Sequence, residues 1–264
     1  MRKRRKKLDL PKKAVSVSVC IIMAALIAQF GHATDESGDA KELLSKAVKA
    51  IGGEKKACGW TTRVDKGKLT SIRPGWGTLH ANCTQHIKKP DKLKIDQDFS
   101  AYDHPFFMVY YYNGGEAWLM VNLGVRQHPY YTKQLGKHMR TIDGPAYYLT
   151  ECDTFFIVPD VPEDSLVTAA DVHRVGVVDN GDTVLFDLDK KTFLPVRRIE
   201  ENRTTHVLLD DYRKTGGVNM PYHVTMYQGG ILVAEYHWDE IKFNEKIDDA
   251  IFEEHRPEPK ESPE

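Results

Sequence analysis

The residues best suited to chemistry lie near the end of the chain. Glu235, His237 and Asp239 alternate along one apolar-rich run. Alternate residues of a strand share a face, so these three ligand types could together hold a divalent metal. A strand spaces such side chains about 7 Å apart, so only two reach one ion comfortably. Pairing across Gly229-Gly230 places His223 on the other face, away from the set. The expectation is a solvated strand end with no metal. Asp210-Asp211 is a second acidic pair, but neighbours in a strand point to opposite faces and cannot share a proton. Eleven histidines occur, no two of them three to five residues apart, and there is no HExxH, GxSxG, Walker loop or GxGxxG. The expectation is a binding protein without a cofactor, not an enzyme.

The elements that would position these residues are mostly strands. Val172–Val178 and Thr183–Leu188 pair across Asn180-Gly181, which sets Val177 against Val184, Val175 against Phe186 and Arg174 against Asp187. Further strands are expected over Leu194–Glu200, Thr205–Tyr212, Tyr222–Gln228 and Ile231–Phe243. Earlier in the chain, strands are expected over Thr61–Ile72, Gly77–Ile87 and Lys92–Phe99, with a hairpin joining Phe106–Tyr112 to Ala117–Val121. Phe106–Tyr112 is apolar at every position, so it must be covered on both faces or meet a ligand. At the Gly229-Gly230 hairpin, one face is expected to carry Val224, Met226, Ile231 and Val233. The other carries Tyr227, Leu232, Ala234, Tyr236 and Trp238. Both faces are apolar.

Two segments break the strand pattern. Ala40, Leu43, Leu44, Ala47, Val48 and Ile51 form one helical stripe within Ser37–Ile51, ended by Gly52-Gly53. Tyr131, Leu135, Met139 and Ile142 form another within Tyr130–Tyr148, interrupted by Gly144-Pro145. This second helix either lies over the open face of a sheet or packs on the surface of the core.

The N-terminus reads as a targeting segment. Eight basic residues between Arg2 and Lys13 precede an uncharged apolar run over Ala14–Gly31, and Gly31-His32-Ala33 offers a cleavage site. Residues 1–33 are thus an export signal or, uncleaved, a membrane anchor. Export implies a periplasmic or otherwise extracytoplasmic protein. The remainder holds 29 Lys and Arg against 37 Asp and Glu, a net of −8, which argues against nucleic acid and against simple adhesion to anionic lipid. Residues 34–256 form one β domain, and 257–264, rich in proline and acid, form a disordered tail. Of Cys58, Cys83 and Cys152, the pair Cys58–Cys83 would staple the first strands together in an oxidising compartment.

The collinear series VLFDLDKKTFLPVRRIE, VLLDDYRKTGGVNMPYHVTMY and WDEIKFNEKIDDAIFE resembles the C-terminal half of the LolA/LolB-like superfamily of lipoprotein carriers. KAIGG and KPDKLKID are similar to its N-terminal half. The resemblance implies a mainly β fold with some α: a strongly curved antiparallel sheet, an unclosed half-barrel with helices over its concave face. It implies a monomer holding a lipid or a lipidated protein by its acyl chain, or a sensor that binds an envelope partner protein on the same scaffold. Drawn from strands with two apolar faces, the expected cavity lining is Phe107, Val109, Tyr111, Trp118, Met120, Val224, Met226, Tyr236 and Trp238. Some of these could equally be core beneath a helix.

Overall fold

A computed structural model describes residues 33–257, apart from 74, 76, 123, 160–165 and 201–203. Residues 1–32 of the expected export signal and residues 258–264 of the expected tail lie outside the described residues. Among the described residues, no helix is long and apolar enough to cross a membrane.

The alternating segments become thirteen strands of one antiparallel sheet. The first six are β1 (Thr62–Arg73), β2 (Gly77–Lys88), β3 (Lys92–Phe99), β4 (Phe106–Asn113), β5 (Glu116–Val121) and β6 (Gly124–Arg126). The rest are β7 (Thr154–Ile157), β8 (Val172–Asp179), β9 (Asp182–Asp189), β10 (Pro195–Glu200), β11 (Thr205–Thr215), β12 (Val218–Gln228) and β13 (Ile231–Phe243). The strand order is β6-β5-β4-β3-β2-β1-β13-β12-β11-β10-β9-β8-β7, so the chain's two halves meet where β1 pairs with β13. β6 and β7 are the free edges, and the sheet is not closed. Side chains from β3 round to β10 line one cavity. Flat, those seven strands would spread over roughly 29 Å, so the sheet must curl. The short β6 and β7 carry too few residues for their alternation to stand out in the sequence.

The hairpin across Asn180-Gly181 has the expected register, with Val175 on Phe186, Val177 on Val184 and Arg174 on Asp187. Asn180 and Gly181 both have positive φ, as a tight type I′ turn requires. Register is interrupted elsewhere by bulges. On β13, Leu232 pairs with Tyr227 and Ala234 with Met226, leaving Val233 as an extra residue. Because strand side chains alternate with period two, this shift turns Ala234, Tyr236 and Trp238 onto the face of Val224 and Met226. The expected face assignment is corrected accordingly. A second shift leaves Asp239 unpaired where Lys66 meets Glu240 and Gly67 meets Trp238. There Gly67 is obligatory, since a Cβ would sit 2.1 Å from the His237 carbonyl oxygen.

Among the described residues four helices accompany the sheet: α1 (Ala33–Ala50), α2 (Glu54–Cys58), α3 (Pro129–Arg140) and α4 (Pro145–Glu151). The helix expected over Tyr130–Tyr148 is thus two helices. Thr141 closes α3, its hydroxyl donating to the Lys137 carbonyl at 3.0 Å, and Pro145 starts α4 at a position that needs no N–H. The concave face is covered in two parts. α1 and α4 seal β7–β9, where Leu44, Ala47, Tyr148, Phe155, Val175 and Phe186 form a dry core. α3 crosses the β3–β5 side, with Met139 packed among Trp60, Ile87 and Leu93. On the convex face the C-terminal turn Asp249–Phe252 lies against β3 and β4 and buries Phe252 completely.

Candidate functional site

Where α3 leaves β11–β13 uncovered, the concave face keeps an open trough of about 390 Å³. Small-molecule sites are typically about 300–1,000 Å³. One wall comes from the C-terminal strands: Val207, Val224, Met226, Tyr236 and Trp238. Ile95 of β3 and Leu135 of α3 face them. Leu135 belongs to the helical stripe legible in the sequence, and that stripe faces the sheet. A second chamber of about 280 Å³ shares Ile95, Leu135, Met226 and Tyr236 and runs on between α3 and β1. The Tyr236 ring stacks on Trp238 with centroids 5.4 Å apart.

One end of the trough is charged. Arg63 and Asp65 share the inward face of β1, with Arg63 Nε donating to Asp65 Oδ2 at 3.0 Å. Opposite them, Glu200 of β10 pairs with Lys137 of α3 at 3.0 Å and with Arg198 at 2.5 Å. Burial would raise the Glu200 carboxyl, but Arg198 and Lys137 outweigh it and hold it below its usual range. Asp65 behaves oppositely: burial raises it despite Arg63, and its Oδ1 has no partner among the described residues. His138 of α3 completes this end. Burial, aided by Arg198 and Arg63, pushes its pKa down to about 4, so the ring is neutral at neutral pH, and its buried Nε2 is unpartnered. The trough is therefore amphipathic, oily along its length and polar at one end, with an acceptor on Asp65 and ring nitrogen on His138 left unsatisfied. These polar residues were not anticipated from sequence. An Arg and an Asp two apart in one strand, and so on the same face as Leu69, was the available signal.

The nine expected lining residues divide. Val224, Met226, Tyr236 and Trp238 come together in the trough. Phe107, Val109, Tyr111, Trp118 and Met120 stand on the opposite, convex face, and their expected place in the lining is corrected. Tyr111 stacks on Trp118 across β4 and β5, with centroids 5.1 Å apart. The chain's own C-terminus covers them: Trp118 Nε1 donates to the Glu254 carbonyl at 3.1 Å and Tyr111 Oη to its carboxylate at 3.3 Å. Val109 and Met120 complete that cluster, and Phe107 remains 39% exposed at its edge. The two-sided apolarity of Phe106–Tyr112 thus reflects cover on both faces.

Cys58–Cys83 is likewise corrected, since all three described cysteines are free thiols. Cys83 pairs in register with Gly67, five residues into β1, whereas Cys58 precedes β1 by four residues. Five strand residues alone span roughly 17 Å, far beyond disulfide reach. Burial pushes the Cys83 thiol up to about 12, which leaves it inert.

No protein-family model matches the chain, and no curated protein matches it. Solved structures do. A DUF1329 family protein from Desulfovibrio piger is 13% identical and superposes with a TM-score of 0.54, over 84% of this chain and 98% of that one. A LolA superfamily protein from Nitrosomonas europaea is 11% identical with a TM-score of 0.52, over 81% and 96% of the two chains. Nearly the whole of each neighbour is thus matched. The chain shares the fold of these two solved proteins, an unclosed antiparallel sheet with helices across its concave face.

Proposed function

We propose that this protein binds a hydrophobic ligand in the trough, most simply the acyl chain of a lipid or lipidated protein, as a binding protein and not a catalyst. The observation that carries the reading is the apolar-walled channel between Leu135 and the Val224–Met226–Tyr236 wall, continuous with the second chamber. Burying a methylene there is worth about 0.8 kcal/mol, so a long chain binds without polar specificity. The charged end suits the head of such a ligand, with Arg63 and Arg198 for an anion and Asp65 Oδ1 for a donor. The fold shared with a LolA superfamily protein supports this reading, as does the export segment, which would deliver the chain beyond the cytoplasm as a monomer, cleaved or N-terminally anchored. A second reading, recognition of an envelope partner protein, draws on the exposed edge strand β6.

The test uses delipidated full-length protein and a fluorescent fatty-acid probe, with native mass spectrometry of protein from its own host. Wild type should bind one probe, Val224→Trp should lose it, and Phe107→Ser on the convex face should keep it. Absence of any probe binding together with absence of an adduct rejects the ligand reading.

A further inference from the structure

On the convex face, directly behind the trough wall, the Val233 bulge has a second effect. It brings His223 opposite His237 in register and places Glu235 beside both. The two imidazoles stack with centroids 4.2 Å apart and planes 9° from parallel. Both Nε2 atoms approach one carboxylate oxygen: His223 lies 2.8 Å and His237 3.4 Å from Glu235 Oε1. One ligand atom from each residue lies within 4.8 Å of the others. Two ligand atoms held by one zinc ion at about 2.1 Å each stand roughly 3.4 Å apart in a tetrahedral site, so modest side-chain rotations suffice.

We propose that His223, Glu235 and His237 form a binding site for a divalent first-row transition-metal ion of the zinc class. The donor set of two imidazoles and a carboxylate matches the three-ligand zinc sites that keep a fourth position for water. It is borderline in softness, which disfavours magnesium and calcium, whose ligands are oxygens. Two groups behind the ligands add to the case. Asp210 Oδ2 lies 3.9 Å from His223 Nδ1, on the far side of the ring from Nε2. A small rotation lets it accept the Nδ1 proton, which fixes Nε2 as the metal-binding nitrogen. Thr225 Oγ1 stands 3.3 Å from His223 Nε2 and limits the ring's swing. The neighbouring cations do not occupy the site: Arg213 is tied to Asp211 at 2.5 Å, and Lys68, opposite His237 on β1, is exposed to solvent. His237 is itself exposed, so an ion reaches the site without opening the fold. The three ligands come from β12 and β13, and an ion there would clip these strands together independently of anything bound on the concave face.

The test uses untagged full-length protein, reduced and stripped with a chelator, titrated with Zn²⁺ by calorimetry and with Co²⁺ by visible absorption. Wild type should take up one tight Zn²⁺ per chain, with Mg²⁺ giving no heat, and Co²⁺ should give d–d bands free of thiolate charge transfer. Zn²⁺ should also raise Tm, because it binds the folded chain preferentially. His223→Gln, His237→Gln and Glu235→Gln should each weaken binding at least tenfold, while Phe107→Ser should not change it. Equal Zn²⁺ stoichiometry and affinity in a His223→Gln/His237→Gln double variant, or a Co²⁺ spectrum with thiolate bands in wild type, overturns the proposal.

Discussion

The two ends of the concave surface are built from similar strands and finished differently. Over β7–β9, α1 and α4 interdigitate with the sheet until Phe186, Val175 and Leu44 are almost wholly enclosed. Behind that core, on the convex side, Asp187 is fully buried and bridges Arg174 and Arg197, each through a 2.6 Å contact. Over β11–β13 a single helix crosses the far side only, and Val224, Met226 and Tyr236 remain half-covered around open space. The difference lies in how many helices are supplied, because the strands at both ends carry apolar inward faces. One end is a core, and the other is the same kind of surface left one helix short.

The sharpest way to break this comparison is at the sealed end. Asp187→Ala leaves two arginines buried without their shared partner, and a loss of about 3–5 kcal/mol is expected, read as a lowered urea midpoint. Phe186→Ala opens a cavity in the dry core and should cost about 3–5 kcal/mol. Met226→Ala at the open end should cost clearly less than the roughly 2–5 kcal/mol typical of a buried Met, because space already adjoins it. Equal costs at the two sites would erase the distinction. A pH titration sharpens it further. His138 is held neutral in the folded chain, with a pKa near 4 against 6.5 for an unconstrained imidazole. Between those values the unfolded chain binds a proton that the folded chain refuses, so stability falls as pH drops from about 6.5 to about 4 and levels off below. His138→Gln should flatten that part of the urea-midpoint profile relative to wild type. The smallest effect concerns the thiols: added reductant should leave Tm unchanged, since Cys58, Cys83 and Cys152 are already free.

Much of this fold was legible because strands and turns leave local signals. The Asn180-Gly181 hairpin was readable to the residue, since apolar met apolar and Arg174 met Asp187 in a single register. The helical stripe through Leu135 and Met139 was readable for the same reason. The trough itself was only half legible. Val224, Met226, Tyr236 and Trp238 were recognisable as apolar strand residues, but so were Tyr111 and Trp118, and nothing local says which face a C-terminal strap will cover. The polar end was missed because Arg63, Asp65, His138 and Glu200 come from distant parts of the chain and meet only when the sheet curls. The placement of His223 failed for a different reason: an extra residue in one strand carries no signature when its neighbours are all apolar.

That extra residue shows how one amino acid absorbed at a bulge decides which side chains face inward. Had the strand paired without the bulge, with Val233 opposite Met226, Tyr236 would have turned to solvent and His237 toward the oily wall. Deleting Val233 itself would remove the bulge yet keep Ala234 opposite Met226 and Tyr236 opposite Val224, so the shortened strand should retain the wall. Loss of one residue here should therefore be tolerated, in keeping with its place beside an exposed hairpin tip.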